Sequence, residues 1–378
     1  METSSARVTQ TDVARVAGVH NTTVSLALRN SPSIPEGTRK RIQALANQMG
    51  YHPDPVLRAL VAYRKGRTLS DRRETIAYIT NAETRGGWRD QPADHRFHVG
   101  AEKKAALHGY HLEHFWLGEP GLSQRRLSNI LFHRGVTGVL LASHRDTGDE
   151  MLDFDWGRVG AVKIGCFPPA PALHRVMDDQ QAVVRLAMKR IMAAGYRRIG
   201  LILPIGWDRS TDRAWSTAFL IEQNRLPGGS RIPIYFLPSN DRCVVSATGG
   251  DEPAGEAEPL ATWFDEFRPD VILSSWDLVG ALLDDLGITV SRDVGFADLF
   301  MNAADGRVAG VRPNSERVGE IATEMLVSQM QQNICGAPAI ATTTLVEGVW
   351  SDGASLPLRK ASTGLTARSL PIEEPCEV

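Results

Sequence analysis

The hydrophobic pattern begins with two short helices joined by a tight turn, over residues 8–28. Thr9 and Asp12 have the spacing of a capping box, which pairs unsatisfied backbone groups at a helix start. Gly18 can adopt the left-handed backbone that ends the first helix. Apolar residues recur at helical spacing and predict the inward faces of the pair: Val13, Ala14, Val16, Ala17, Val24, Ala27 and Leu28. Polar and basic residues dominate the outward face of the second helix, as a helix in a major groove requires.

A third amphipathic helix is predicted over residues 39–49, because Ile42, Leu45, Ala46 and Met49 share one face and Gly50 follows. The segment YHPDP comes next and leads into a short apolar helix over residues 53–62, where proline is tolerated in the first turn. Residues 63–73 are basic and polar without apolar periodicity, which indicates a linker.

From residue 74 onward, apolar strands alternate with helices, and this alternation implies parallel sheets with helices on both faces. The pattern predicts strands over residues 75–80, 110–117, 138–142, 159–165, 198–203, 232–237, 270–274, 294–297 and 343–349. It predicts helices over residues 97–108, 123–133, 179–194, 210–224, 259–267, 278–286 and 315–331. Two such sheets side by side form a cleft at the carboxyl ends of their strands, where small ligands bind.

Length and charge refine this division. A chain of 378 residues suits two or three domains. Residues 1–73 hold 12 Lys and Arg against 5 Asp and Glu, a formal charge of +7, and the remainder holds 30 against 39, a charge of −9. A basic headpiece on an acidic body suits a DNA-binding protein, although chance asymmetry in so short a segment is the alternative.

Several classes of protein are disfavoured by the sequence. No apolar run approaches the roughly 20 residues of a membrane span, and residues 1–10 lack the apolar core of a signal peptide, so we expect no membrane partner and a cytoplasmic location. The cysteines, Cys166, Cys243, Cys335 and Cys376, are far apart and indicate reduced thiols. Residues 240–260 are predicted to be a mobile surface loop, and residues 357–378 a flexible tail without leucine heptads.

The order of three helices, GYHPDP and a short apolar helix closely resembles the headpiece and hinge of the lactose-repressor (LacI/GalR) family. The pieces TDVARVAGV, TVS, TRKRI and GYHP carry this resemblance in sequence, order and spacing. The body also resembles the family, and thereby periplasmic sugar-binding proteins, more loosely. The segments concerned are VMDD, AAGYRRIGLIL, VGF, AGVRPNSERVG and LVEGVW.

The resemblance implies an N-terminal all-α helix-turn-helix headpiece and a hinge helix. An α/β periplasmic-binding-protein-like core of two doubly wound parallel-sheet subdomains follows. The implied boundaries are headpiece 1–52, hinge helix 53–62, linker 63–73, core 74–356 and tail 357–378. The chain would cross between the subdomains near residues 177, 304 and 333. The N-subdomain would hold residues 74–177 and 305–333, and the C-subdomain residues 178–304 and 334–356.

The same resemblance implies which residues contact DNA: Thr9, His20, Asn21, Thr22, Thr23, Ser25, Leu26, Arg29, Tyr51, Leu57 and Leu60. Asn21 can make a bidentate contact with adenine, and Arg29 can pair with guanine or a phosphate. Thr23 and Ser25 suit phosphates, which position the helix without reading sequence. Solvent exposure without a DNA contact is the alternative for each residue, and an ordinary amphipathic helix pair is the alternative for the motif.

Two positions depart from the family, and one hinge position matches it. Leu26 stands where arginine is common, which removes a guanine contact and favours a thymine methyl. His20 replaces the usual Ser or Thr cap and is a poorer cap. Leu60 aligns with the hinge leucine that wedges into the minor groove and kinks the duplex, although a lone leucine is usually a core residue. Two wedges require two hinge helices, so the resemblance implies a homodimer on a near-palindromic site.

The cleft is predicted to bind a small effector, by resemblance a carbohydrate. The proposed contacts are Trp88, Trp207, Arg213, Trp276 and Asp298. A guanidinium can hold sugar hydroxyls or carboxylates, and an aromatic face can stack on a sugar ring. The alternatives are a surface ion pair of Arg213 with Asp208 or Asp212, and lid or core roles for the tryptophans. In the family an acidic pair often follows the motif VG[YF], and here only Asp298 of that pair is present. After the strand 270–274 the family usually has Asn-Asp, and here Ser275-Trp276-Asp277 stands in that place. The pocket therefore departs from the lactose-repressor pattern.

Neither metal chemistry nor catalysis is indicated. His108, His111, His114 and Glu113 lie close in sequence, but a strand there would put His111 and His114 on opposite faces. Asp178-Asp179 has no nucleophile or acid partner, and no phosphate loop or GxSxG is present. We therefore expect no cofactor and a non-enzyme: a sequence-specific repressor of pseudo-palindromic operators, nucleoid-associated when bound. The alternatives are a sugar receptor with a vestigial headpiece and a cleft enzyme of the doubly wound type.

Overall fold

The computed structural model describes residues 9–28, 31, 33–49, 74–144, 152–166, 170–237 and 257–359. Several predicted features lie outside this part of the chain: the hinge helix 53–62, the linker 63–73, Arg29, Tyr51, Leu57 and Leu60. The first described segments form a three-helix headpiece and the remainder forms two α/β lobes.

The headpiece has a core of its own. Its helices are α1 (Gln10–Ala17), α2 (Asn21–Leu28) and α3 (Glu36–Gln48), which begins three residues earlier than predicted. Its buried side chains are Val13, Ala14, Ala17, Val24, Ala27, Ile42 and Ala46. Val16 is 60% exposed, so its assignment to the inward face was wrong. It lies about 100° of helical rotation from the centre of the stripe formed by Val13, Ala14 and Ala17.

Local signals fix the ends of α1, and α3 joins the helices together. The capping box between Thr9 and Asp12 is confirmed, and Gly18 takes the left-handed conformation with φ 64°. From α3, the guanidinium of Arg41 donates to the carbonyl of Ala17 at 3.3 Å, and the amide of Gln43 donates to that of Ala27 at 2.9 Å. These bonds satisfy carbonyls at the C-terminal ends of α1 and α2 that have no partner within their own helices.

The first lobe is built from residues 75–178. Its elements are β1 (Thr75–Asn81), α4 (Pro92–Leu107), β2 (His111–Trp116), α5 (Gln124–His133), β3 (Gly138–His144), β4 (Gly160–Ile164) and β5 (His174–Asp178). The helix α4 begins five residues earlier than predicted because Pro92 occupies its first turn and the next residues are polar. Strand β5 was not predicted, since only Val176 and Met177 are buried in it.

The second lobe follows with the same alternation. Its elements are α6 (Gln180–Ala193), β6 (Ile199–Pro204), α7 (Ile205–Ser210), α8 (Ala214–Gln223), β7 (Tyr235–Leu237), α9 (Ala257–Phe267), β8 (Val271–Ser274), α10 (Trp276–Asp285), β9 (Gly295–Asp298) and β10 (Ala309–Arg312). The predicted helix 210–224 corresponds to α8, which begins four residues later because Asp212 and Arg213 have φ of 55° and 58°, and α7 before it was not predicted. The chain ends with α11 (Ser315–Gln332), β11 (Thr343–Val346) and β12 (Val349–Ser351).

In the described part of the chain, each lobe has a six-stranded sheet, and the two sheets have the same strand order. The first sheet runs β11-β5-β4-β3-β1-β2 and the second β12-β10-β9-β8-β6-β7. Helices cover both faces of each sheet, so the prediction of two doubly wound subdomains is confirmed. Among the strands named here, all pairings are parallel except that of β12 with β10. The strand order reverses between β1 and β3 and between β6 and β8, and ligands bind at such switch points.

The chain crosses between the lobes after β5, between β10 and α11, and between β11 and β12. The first crossing agrees with the expected position near residue 177. The positions expected near residues 304 and 333 were wrong, because β10 pairs with β9 in the second sheet and β11 with β5 in the first. Strand β10 escaped prediction because it has only four residues, and the predicted strand 343–349 is in fact two strands in two different sheets.

Helix α11 packs closely on α4. A Cβ atom on Gly100 would collide with the carbonyl oxygen of Glu316, and one on Gly319 with that of Phe97. The two glycines therefore let the helix backbones approach directly. This contact fixes the first turn of α11, which immediately follows the second crossing, against the first lobe.

Parts of the predicted loop 240–260 and of the predicted tail 357–378 lie among the described residues. Residues 257–260 of the predicted loop 240–260 belong to α9. Residues 357–359 of the predicted tail pack on the second lobe, where Tyr196 donates to the carbonyl of Pro357 at 2.9 Å and Arg359 pairs with Asp270 at 3.3 Å. In the described part of the chain, no helix has both the length and the apolar character that crossing a membrane would require.

Candidate nucleic-acid interface and ligand cleft

The start of α2 presents polar side chains to solvent. His20, Asn21 and Thr22 are exposed, as a helix that inserts its N-terminal end into a groove requires. Thr23, Ser25 and Leu26 are half-buried, so they are less accessible than predicted. Val24 and Ala27, fully buried, fix the rotation of the helix about its axis. The surface available for base contacts is therefore concentrated in the first turn.

His20 caps α2 through its ring. The backbone N–H of Thr22 donates to Nδ1 of His20 at 3.3 Å, and the hydroxyl of Thr22 lies 2.7 Å from the same atom. An imidazole nitrogen is thus the hydrogen-bond acceptor of this helix cap, in place of the Ser or Thr oxygen expected at this position. Since Nδ1 is engaged with the helix, Nε2 is the ring atom left to contact a partner. Thr9 is exposed at the start of α1, with its side chain engaged in the capping box.

At the switch point of the second lobe, aromatic rings pack behind the end of β6. The ring of Trp207 lies 4.6 Å from that of Phe300, and Trp215 packs on the same Phe300 at 4.6 Å. Trp207 is half-buried and keeps part of its surface accessible, whereas Trp215 is buried. Phe300 was not singled out from sequence, because nothing in its spacing showed that it would join these two tryptophans.

Asp298 organises the cleft edge of the second lobe. One oxygen accepts from the backbone N–H of Phe300 at 2.7 Å and the other from that of Trp276 at 3.2 Å. Burial raises the pKa of Asp298 to about 6, against the opposing effect of these two bonds. Each oxygen thus holds one backbone N–H, and the side chain positions the loops around it. Trp276 is half-buried, and its ring packs on Phe296 at 5.1 Å.

Trp88 does not face the cleft, contrary to prediction. It is 2% exposed, and its ring packs on His98 at 4.5 Å and on His114 at 5.4 Å. Burial, with nearby His98, lowers the pKa of His114 to about 4, and Thr80 shares a hydrogen bond with its Nε2 at 2.8 Å. His111 is exposed at the other end of β2. Among the residues described, no group of His, Cys, Asp and Glu is placed to hold a metal ion.

Arg213 is exposed on the left-handed turn between α7 and α8. Its predicted alternative partner, Asp208, is buried and accepts both the backbone N–H and the hydroxyl of Ser216, at 3.0 and 2.7 Å. No ion pair joins Arg213 to Asp208 or Asp212 in the described structure. The guanidinium is therefore exposed on this turn and does not form the ion pair considered as the alternative to an effector contact.

A cavity of about 490 Å³ lies where the two lobes meet, and we call it the inter-lobe cavity. Both lobes contribute to its lining, which includes Arg96, Asn302, Arg312, Ser315, Glu316 and Arg317. The guanidinium of Arg96 in α4 donates to the carbonyl of Asn302, in the loop after β9, at 2.7 Å. This bond joins the lobes directly. Arg96 and Arg312 were not predicted as cleft residues, because neither directly follows a strand that flanks a switch point.

Asp178 lies next to this cavity, at the first crossing. The hydroxyl of Ser315 approaches one of its oxygens at 3.4 Å, and the other oxygen is buried without a hydrogen-bond partner. Burial raises the pKa of Asp178 to about 7, although Ser315 and the charge of Arg96 oppose this shift. A buried polar atom without a partner is costly, which marks this end of β5 as a place where a ligand can complete the hydrogen bonding.

Comparisons with known proteins agree with this arrangement. Residues 9–54 match the model of the bacterial regulatory proteins of the lacI family. The HTH-type transcriptional repressor PurR of Photobacterium profundum is 22% identical over 338 residues, which cover 85% of this chain and 91% of that protein. A solved transcriptional regulator CelR–cellobiose complex is 20% identical, with a TM-score of 0.53 over 92% of this chain and 100% of that one.

A solved lac repressor dimer, bound to operator and the anti-inducer ONPF, is 16% identical, with a TM-score of 0.51 over 93% of this chain and 99% of that one. The headpiece therefore matches the bacterial regulatory proteins of the lacI family over residues 9–54, and the two doubly wound lobes have the fold of the similar solved regulators.

Proposed function

We propose that this protein is a transcriptional repressor that binds a pseudo-palindromic operator as a homodimer and is controlled by a small ligand in the inter-lobe cleft. The observation that carries the proposal is the headpiece: a helix pair with its own core that presents His20, Asn21 and Thr22 at the exposed start of α2. The similar proteins PurR and the lac repressor are named as repressors, which supports the direction of control.

The headpiece chemistry supports sequence-specific contact. Asn21 can donate to and accept from an adenine edge, and His20 offers its second ring nitrogen beside it. Thr22 and Thr23 suit phosphate contacts that position the helix. Arg29, Tyr51, Leu57 and Leu60, outside the described residues, extend the proposed interface, with Leu60 as the minor-groove wedge of each protomer. A dimer places two such units on two half-sites, and operator DNA requires that the protein share the compartment of the chromosome.

The body supports control by a ligand. Its two lobes are joined by the three chain crossings and by the Arg96–Asn302 hydrogen bond, so a molecule between them can change the angle of the lobes. A ligand controls DNA binding only to the extent that it binds one arrangement better than the other. The CelR complex contains cellobiose, which supports a carbohydrate as the ligand class. Trp207, Trp276 and Arg213 provide aromatic and guanidinium surfaces at the edge of the second lobe.

The test is selection of binding sites from random duplex DNA by the full-length protein, with and without a panel of sugars and sugar derivatives. An enriched near-palindrome is the expected result, and a compound that changes the enrichment identifies the ligand and the sign of its effect. Affinity for the selected site should fall by about 10³ between roughly 50 and 200 mM salt if six or more phosphates are contacted. Binding of a ligand without any DNA enrichment would instead favour a cleft receptor with an inactive headpiece.

A further inference from the structure

Two of the arginines at the inter-lobe cavity have no ion-pair partner among the described residues. Glu316 and Glu320 are paired with Lys103 at 3.1 and 3.5 Å, and Glu320 also with Arg317 at 2.7 Å. These four side chains form a neutral group. Arg96 and Arg312 also line the cavity, and neither forms an ion pair in the described part of the chain. In the described structure, these two guanidinium groups therefore have no carboxylate within ion-pair distance.

The first turn of α11 adds to this positive character. Asn314 precedes the helix, but its side chain does not cap it, and its amide instead donates to the carbonyl of Glu347 at 2.6 Å. Ser315, Glu316 and Arg317 carry the first backbone N–H groups of this 18-residue helix, and all three line the cavity. Unsatisfied N–H groups and the helix dipole favour an anion at this end.

The buried oxygen of Asp178 points to a ligand independently of these charges. It belongs to the carboxyl group whose other oxygen meets the hydroxyl of Ser315, a residue of the cavity wall. Its lack of a partner leaves a polar group that a ligand hydroxyl or oxyanion can satisfy. With a pKa raised to about 7 by burial, this carboxyl group can hold a proton near neutral pH and act as a hydrogen-bond donor.

We propose that the ligand of the inter-lobe cavity is an anionic sugar derivative whose carboxylate or phosphate is held by Arg96 and Arg312 at the first turn of α11. This inference rests on the proposed function, because it names the ligand class of the cleft. The guanidinium fork matches carboxylate and phosphate oxygens, and the cavity volume of about 490 Å³ suits a molecule of monosaccharide size.

The placement of the two arginines gives the anion a regulatory consequence. Arg96 belongs to α4 of the first lobe, and Arg312 ends β10 of the second. An oxyanion bound to both joins the lobes and competes with the carbonyl of Asn302 for the Arg96 guanidinium. The ligand-bound and the ligand-free protein therefore differ in the contact that links the lobes, which in the structure described here is the Arg96–Asn302 hydrogen bond.

The experiment is titration calorimetry of the full-length protein with glucuronate, glucose 6-phosphate and glucose, which share a ring and differ in the charged group. At least one anionic probe should bind about tenfold or more tightly than glucose, as expected for a hydrogen-bonded charge pair. The comparison of glucuronate with glucose 6-phosphate distinguishes carboxylate from phosphate. Equal affinity for glucose, or no binding of either anionic probe at millimolar concentration, overturns the proposal.

Substitutions locate the binding site. Arg312→Gln and Arg96→Gln should each weaken the anionic probe about tenfold or more and leave the affinity for glucose unchanged. Arg292→Gln is the matched control, because Arg292 is exposed, pairs with Asp293 and lies outside the cavity lining. Thermal unfolding of each variant checks that the body is intact. An unchanged affinity in Arg312→Gln and Arg96→Gln would place the anion elsewhere.

The same protein samples also separate this inference from the proposed function. Operator enrichment without preference for the anionic probes would overturn the ligand class and leave the repressor proposal standing. Anion binding that depends on Arg96 and Arg312 without any DNA enrichment would support the ligand class and overturn the repressor proposal.

Discussion

The headpiece and the inter-lobe cleft present their polar groups in different ways. In the headpiece, the exposed residues His20, Asn21 and Thr22 are consecutive, and the seven buried residues that orient them lie within 34 positions. In the cleft, Arg96, Asp178, Asn302 and Arg312 come from distant parts of the chain and meet only because the chain crosses between the lobes. The first surface depends on local helix geometry, and the second on the complete topology.

This difference implies that the two sites can be damaged separately. The headpiece core is small and distinct from the four clusters that form the cores of the lobes. Small cores tolerate little loss, because net stability is a small difference between large terms. The cleft depends on buried charge and on the arrangement of two large lobes, so pH and ligands should act there.

The largest expected effect is that of Ile42→Ala. Ile42 is fully buried between the three headpiece helices, and its truncation should cost about 2–5 kcal/mol of headpiece stability. We expect operator binding to fall at least a hundredfold, measured by fluorescence anisotropy, with ligand affinity and the unfolding transition of the body unchanged. Loss of ligand binding in this variant would show that the two regions are not independent.

Asp178→Asn should act on the body alone. The folded protein keeps the proton of Asp178 up to about pH 7, whereas the unfolded chain releases it near its ordinary value of 3.8. The native state therefore binds more protons between these values, and its stability falls as pH rises through this window, by up to about 4 kcal/mol in total. In urea unfolding between pH 4 and 8, the variant should lose this decline and be the more stable protein above pH 7.

Asp298→Asn provides the comparison for that experiment. The pKa of Asp298 is raised to about 6, so its contribution to the decline should end about one pH unit lower. Because its oxygens accept two backbone N–H groups, the asparagine leaves one of them unpaired and should destabilise the body at acidic pH. A wild-type curve without decline between pH 4 and 7 would contradict the burial argument for both residues.

Asn21→Ala tests the recognition surface with a smaller effect. Loss of a bidentate contact with adenine should weaken binding to the selected operator by about 1–3 kcal/mol and leave binding to random DNA nearly unchanged. Gln48→Ala is the control, since Gln48 is exposed at the end of α3. Equal weakening on both DNAs would assign Asn21 to the phosphate backbone.

The smallest expected effect is a stabilisation by Gly37→Ala. Gly37 lies in α3 with open space around its missing side chain, so alanine should raise headpiece stability by up to about 1 kcal/mol. The same change at Gly100 should destabilise the body, because the new methyl group meets the backbone of α11. Thermal unfolding followed separately for the two regions checks both signs, and two changes of the same sign would contradict the packing described here.

The elements that could be predicted are those with a strong local signal. The capping box at Thr9, the left-handed Gly18 and most of the alternating strands and helices follow from spacing and residue type. Strand β5 and strand β10 could not be predicted, because each is short and carries polar residues at an end. Strand β10 also precedes the second crossing, so the boundary expected near residue 304 was misplaced with it.

The cleft residues show the same limit. Trp88 follows β1 as Trp207 follows β6, yet the first is buried among histidines and the second is half-exposed against Phe300. Position after a strand places a residue at the correct edge of the sheet, but neighbouring side chains decide whether it faces solvent or the core. Arg312 was not predicted as a cleft residue, because it lines the cavity together with Arg96 only once the two lobes meet.

By itself, the sequence predicted the helix-turn-helix headpiece and the surface proposed to bind DNA. A helix of eight residues arranges its side chains by backbone geometry alone, so the exposed first turn of α2 can be read from consecutive letters. Only the tertiary structure decided the lobe boundaries, the burial of Trp88 and the charge of the inter-lobe cavity. The lobe boundaries and the cavity arise from contacts between residues more than a hundred positions apart, such as Arg96 with Asn302 and Asp178 with Ser315, and no local pattern encodes such distances. The burial of Trp88 depends on the packing of His98 and His114 on its ring.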